Sequence, residues 1–161
     1  MVANGSHPRM RHKSAQLSRP VSEIKIPRPD GELNFKVAAI PLGLARQFEK
    51  VVPKPAPPTS SVMRVGHAPD ITRNWEDPEF LKSMEEFIFL RSLYMVYRSL
   101  ELDENLEWPC KPVDIVTMRT LAQSIVDSGL SDGDVSMILD RANHLSNIMP
   151  EDLEAARKRF L

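Results

Sequence analysis

Apolar positions along the chain change their spacing twice. Ile24 and Ile26 alternate with charged neighbours, and Leu33, Phe35, Val37 and Ala39 alternate with Glu32, Asn34 and Lys36. These two runs of period two flank "PRPDG", where Pro29 sets the turn and Gly31 accepts a positive φ, so they predict a β-hairpin. A lone hairpin is marginal in water and needs another surface. The stretch "LGLARQFEK", at about 42–50, predicts a short helix whose Leu42, Leu44 and Phe48 cover one hairpin face. Hairpin and helix make a small module over residues 23–50, too small to be robust alone.

From Asp77 onward the period is helical. Asp77 is an N-cap residue and Pro78 suits the first helical position, where its missing N–H costs nothing. "PEFLKSMEEFIFLRSLYMVYRSLEL" then runs without Gly or Pro, with Phe80, Leu81, Met84, Phe87, Ile88, Tyr94, Tyr97 and Leu100 in helical register. Leu90, Leu93 and Val96 widen the apolar surface beyond one stripe. Such a helix sits central in a bundle or presents a second face to another chain. Asp114 caps a second helix at about 115–128, faced by Ile115, Met118, Leu121, Ala122 and Ile125 and ended by Gly129. Ser131 caps a third, with Asp134 in the capping-box position and Val135, Ile138, Leu139, Ala142 and Leu145 inward. Pro150 opens a short fourth helix carrying Leu153, Ala156 and Phe160. The fold class is therefore α+β: the hairpin module, a Pro-rich linker over 51–76, and a mainly helical bundle over 77–161.

The linker begins with "VVPKPAPPTSSV", in which four prolines fall between Pro53 and Pro58. P-x-x-P spacing, as from Pro55 to Pro58, permits docking in an aromatic groove. Its place between a β-rich and a helical part favours a stiff strap instead. Residues 1–22 are polar and basic and are expected to stay disordered until something binds.

Charge sharpens this picture more than composition does. The 161 residues carry a formal charge of −1, which gives no general pull toward nucleic acid or anionic membranes. Within residues 1–28, however, Arg9, Arg11, Lys13, Arg19, Lys25 and Arg28 stand against Glu23 alone, and residues 77–107 hold eight acids against three bases. Any nucleic-acid contact falls to the basic tail. No apolar run is long enough for a membrane span, the N-terminus lacks the apolar segment of a secretory signal, and the single Cys110 suits a reducing compartment. A soluble intracellular protein is expected.

Candidate chemistry is sparse. His7, His12, His67 and His144 have no zinc-ligand spacing among themselves or with Cys110. No phosphate loop and no nucleophile elbow appears. Cys110 has only His144 as a conceivable base in the folded part, and a passive thiol is the better reading. Glu85 and Glu86 point about 100° apart on a helix, which suits a solvated face more than a carboxylate pair. We expect no catalytic residues, no metal and no cofactor. The aromatic stripe of the long helix could stack bases, but core packing is the commoner use and the helix is acidic.

A small β-containing start ending in "IPLGLARQFEKVVPKPAPP", then "DPEFLKSMEEFIFLRSLYMVYRSLE", "ENLEWP" with its lone tryptophan, "LAQSIVDSGLSDGDVSMILDRANHLSN" and the closing "LEAARKRFL" together cover about residues 24–161. In this arrangement the chain resembles the tail assembly chaperones of long-tailed, siphovirus-like bacteriophages. The resemblance implies a non-catalytic role: binding the long tape-measure protein, keeping it soluble, and helping to recruit tail-tube subunits. It implies residence in the cytoplasm of the infected host and absence from the finished particle. The tail before Ser22 lies outside the resemblance. An amphipathic client helix would meet Phe87, Leu90, Tyr94 and Tyr97, with Phe35 and Val37 as a second surface; plain core packing is the alternative for each. Homo-oligomerisation is compatible with the pattern. Competing classes are a structural virion component, such as a connector subunit, and an adaptor that uses the proline strap and basic tail.

Overall fold

A computed structural model describes residues 18–147. Strands β1 (Val21–Arg28) and β2 (Gly31–Ala38) pair antiparallel, with Ile24 opposite Phe35 and Arg28 opposite Gly31, so Pro29 and Asp30 form a two-residue turn. Period two then puts Ile24, Ile26, Phe35 and Val37 on one buried face and Glu23, Lys25 and Lys36 on the other. Helix α1 (Leu44–Val51) follows; Gly43 stands at its N-cap with φ 78°, a backbone conformation glycine adopts without strain. Then come two short strands, β3 (Thr59–Val62) and β4 (Asp70–Arg73), which pair antiparallel with each other. Helices α2 (Pro78–Leu100), α3 (Ile115–Asp127) and α4 (Asp132–Ser146) complete the fold, which is α+β.

The three long helices start where their caps dictate. Asp77 accepts a hydrogen bond from the Phe80 N–H, and Asp114 and Ser131 each form a reciprocal capping box, with Thr117 and Asp134 respectively. After α3, Gly129 takes φ 85° and turns the chain toward α4.

A single apolar cluster joins all of these elements except β3 and β4. It includes Ile24 and Phe35 of the hairpin, Phe48 of α1, Tyr94 of α2, Met118 of α3 and Ile138 of α4. Both hairpin strands pack on α4, and β2 also packs on α2. The N-terminal module is thus docked on the helices, a point the sequence left open. Polar ties reinforce the docking. Arg28 at the hairpin tip pairs with Asp134 in the first turn of α4, and the buried Asp103 accepts the Lys36 backbone N–H at 2.9 Å. Arg19 donates to the carbonyls of Ala39 and Arg98 and pairs with Glu101.

Three expectations change. Leu42 does not cover the hairpin; it is fully exposed, because the helix begins only after Gly43. The stretch 51–76 is not extended throughout, since β3 and β4 form a second hairpin within it. The tail expected over 1–22 is ordered where described: Val21 and Ser22 open β1, and Arg19 is anchored as above. Residues 1–17 and the predicted fourth helix lie outside the described residues.

Candidate docking surface

Helix α2 organises the molecule, and its sequence explains why. Phe80, Phe87, Leu90, Tyr94 and Tyr97 recur every three to seven residues and form a buried stripe along its length. In the second half of the helix Leu93, Val96 and Leu100 are buried as well, so this half is enclosed almost all round. The first half is covered on one side only. Its opposite side shows Leu81, Ile88 and Phe89, with Ile88 57% exposed and the exposed Glu85 among them. Leu81, Glu85 and Ile88 follow the i, i+4, i+7 spacing of one helix face.

All six residues expected to meet a partner lie in the core instead. Phe35, Val37, Phe87, Leu90, Tyr94 and Tyr97 belong to the one buried cluster. Phe87 and Tyr94 hold Phe48 of α1 between them, with ring centroids 5.1 and 5.4 Å away. Tyr97 meets Trp108 edge-to-face at 5.0 Å. Val37 is wholly inaccessible. The residues are brought together, but as internal packing against this chain's own elements, so none presents a docking surface in this fold. Leu81 and Ile88, counted in the same helical register, are the ones left outside.

Around Tyr94 the polar groups are satisfied internally. Arg98 donates to the Tyr94 hydroxyl, to Gln47 of α1 and to Glu101. Burial opposes its charge, but the hydrogen bonds it donates to Tyr94 and Glu101 outweigh that and raise its pKa. Burial, then the Glu101 carboxylate, pushes the Tyr97 phenol up. These shifts fit a packed interface better than a reactive centre. Trp108 buries its indole N–H without a hydrogen-bond partner among the described residues. It forms one wall of a mostly apolar cavity of about 330 Å³, shared with Leu33, Phe35, Val96, Leu100 and Ile125.

The remaining chemical candidates are dispersed. The Cys110 thiol donates to the Thr117 carbonyl at 3.4 Å. His67 and His144 are exposed on separate elements. Among the described residues no three His, Cys, Asp or Glu side chains converge as metal ligands, and no helix is long and apolar enough to cross a membrane. Glu86 is tied to Arg119 of α3, whose guanidinium lowers its pKa, so it makes no pair with Glu85.

Sequence reasoning missed the β3–β4 arm. Every residue in both strands is exposed. Val62, Met63, Val65 and Ile71 stand in water, Met63 at 83% and Val65 at 103% exposure. The arm runs through Asn74 to Trp75, whose ring packs against Phe80 at the start of α2. Its only signal was the enrichment of Thr, Ser, Val and Ile on either side of Gly66 and Pro69. The prolines from Pro53 to Pro58 carry the chain from α1 to this arm, with Pro55 and Pro57 half-buried. Comparison of the chain with family models, with curated proteins and with solved structures finds no match.

Proposed function

We propose that the chain is a non-catalytic assembly chaperone of a long-tailed bacteriophage, which binds the tape-measure protein, keeps it soluble and helps to recruit tail-tube subunits. It would act in the cytoplasm of the infected host and be absent from the finished particle. The observation that carries this reading is the outer face of α2, where Leu81, Ile88 and Phe89 lie exposed opposite the buried stripe. An amphipathic client helix laid along such a face buries its own apolar stripe, as helix-in-groove recognition requires. Glu85 within the face favours a client with a basic residue beside its apolar positions. The client surface is thus the outer face of α2 and not the aromatic stripe, which the core already uses.

The test is co-expression of the full chain with the tape-measure candidate encoded nearest to its gene, scoring the client's soluble yield and co-purification. The client should be soluble and bound only when the chain is present. The L81D/I88D variant should lose both effects while keeping its circular dichroism, because both side chains are exposed. A client that is equally soluble alone would sink the reading. So would recovery of the chain from purified particles, which would favour a structural tail or connector subunit.

A further inference from the structure

The apolar cavity beside Trp108 is open at a rim where Leu33 and Glu107 are both exposed. Its volume of about 330 Å³ is roomy enough for a large apolar side chain, and its walls offer ordered water few partners. Glu107 is the one charged residue among the described residues that line it. The loop that leads there, Glu101 to Glu107, carries four acids and no base. Arg19 and Arg98 engage Glu101, and the Lys36 N–H engages Asp103, which leaves Glu104 and Glu107 exposed at the surface.

We infer that the chain's own segment 148–161 folds back along α4 and seats Phe160 in this cavity. That segment lies outside the described residues, but the place where it starts is fixed. The chain leaves α4 beside the end of β2, where the Ser146 hydroxyl accepts the Ile40 N–H at 2.8 Å. The cavity is at the opposite end, walled by Leu130 just before α4 and by Leu33, seven residues back along the chain from Ile40. From Ser146 back to Asp132 is about 21 Å of helix, and from Ile40 back to Leu33 is about 23 Å of extended chain. The sequence has this reach. An extended link from Asn147 to Pro150 covers about 10 Å, and the helix expected from Pro150 to Phe160 adds about 15 Å. Leu153, Ala156 and Phe160 then share one helix face. Charge agrees with this direction: Arg157, Lys158 and Arg159 immediately precede Phe160 and arrive beside Glu107 and Glu104, while Glu151, Asp152 and Glu154 stay in the half nearer Ile40. Residues 1–17 are also basic but contain no Phe, Tyr or Trp to fill the cavity. The inference goes beyond the chaperone reading, since it concerns this chain alone and a surface other than the outer face of α2.

Hydrogen exchange of the full chain, followed by mass spectrometry on peptides from residues 148–161, tests it. The segment should be protected, equally at high and low protein concentration. Phe160→Ser should lower that protection at least tenfold. Glu107→Lys and R157E/R159E should each lower it at least threefold, and the two combined should restore it, because the charges are then exchanged across the same contact. Peptides from α3 should keep their protection in every variant, which separates release of the segment from loss of the fold. A segment that exchanges as fast as unstructured chain in the parent overturns the inference. So does protection that survives Phe160→Ser, or a charge exchange that restores nothing. Protection that disappears on dilution overturns it in favour of a second copy, and protection that needs residues 1–17 overturns it in favour of the N-terminal segment. None of these outcomes depends on a client, so the chaperone reading stands or falls separately.

Discussion

Truncating Phe48 measures whether the hairpin, α1 and the long helices are one cooperative unit. Phe48 is fully buried, and its ring sits between Phe87 and Tyr94 of α2. Phe48→Ala removes a whole ring from a closed site whose neighbours come from a rigid helix, so little collapse can refill it. Such truncations cost about 4 kcal/mol, the transfer and cavity contributions together. The two lost ring pairs are part of that total and place it above the lower end of the range. With a urea slope of about 2 kcal/mol per M, the midpoint should fall by about 2 M. The assay is urea unfolding followed by far-ultraviolet circular dichroism, to which α2, α3 and α4 contribute most. Because Phe48 shares its core with Met118 and Ile138, the helical signal should shift by the whole amount in a single transition. If that signal keeps its midpoint, or a second transition appears, α1 and the hairpin are a tethered module and the single-core reasoning is wrong.

Further outcomes follow from polar contacts. Ser131→Ala removes the acceptor for the Asp134 N–H at the start of α4 and should cost about 1 kcal/mol in the same unfolding assay. Trp108→Phe keeps the edge-to-face contact with Tyr97 but deletes the unpartnered buried indole N–H; relief of about 1–3 kcal/mol of desolvation offsets much of the lost ring, so its thermal midpoint should stay close to that of the parent. The Asp134 carboxyl is held far below the usual carboxylate range, first by its hydrogen bonds from Arg28 and then by the Ser131 backbone N–H. Since its folded pKa is the depressed one, the stability it contributes is present above the unfolded value of about 3.9 and is lost as pH falls below it toward the folded value. Thermal melts at decreasing pH should show this acid loss, and Asp134→Asn should flatten it; an unchanged acid limb in the variant would remove Asp134 as its cause.

Local signals determined much of this protein directly from its sequence. Period two with "PRPDG" fixed the register of the first hairpin, because a side-chain period of two leaves one choice of inward face. Asp77, Asp114 and Ser131 marked the helix starts, because each can satisfy an orphaned N–H within three residues of itself. Gly129 marked the end of α3 for the same kind of local reason.

What only the tertiary structure decided is which apolar surfaces are covered. Apolar residues lie around much of α2, so periodicity names its stripes without ranking them. The arrival of α1 with Phe48 turned Phe87 and Tyr94 into core, while Leu81 and Ile88 stayed exposed among the described residues. The second hairpin escaped notice because strands of four residues, two of them serines, carry almost no alternation. Long-range ties such as Arg19 to Glu101, Arg28 to Asp134 and Lys36 to Asp103 join residues 67 to 106 positions apart. Nothing local distinguishes those side chains from solvated ones, since their partners are set by how the hairpin lands on the helices.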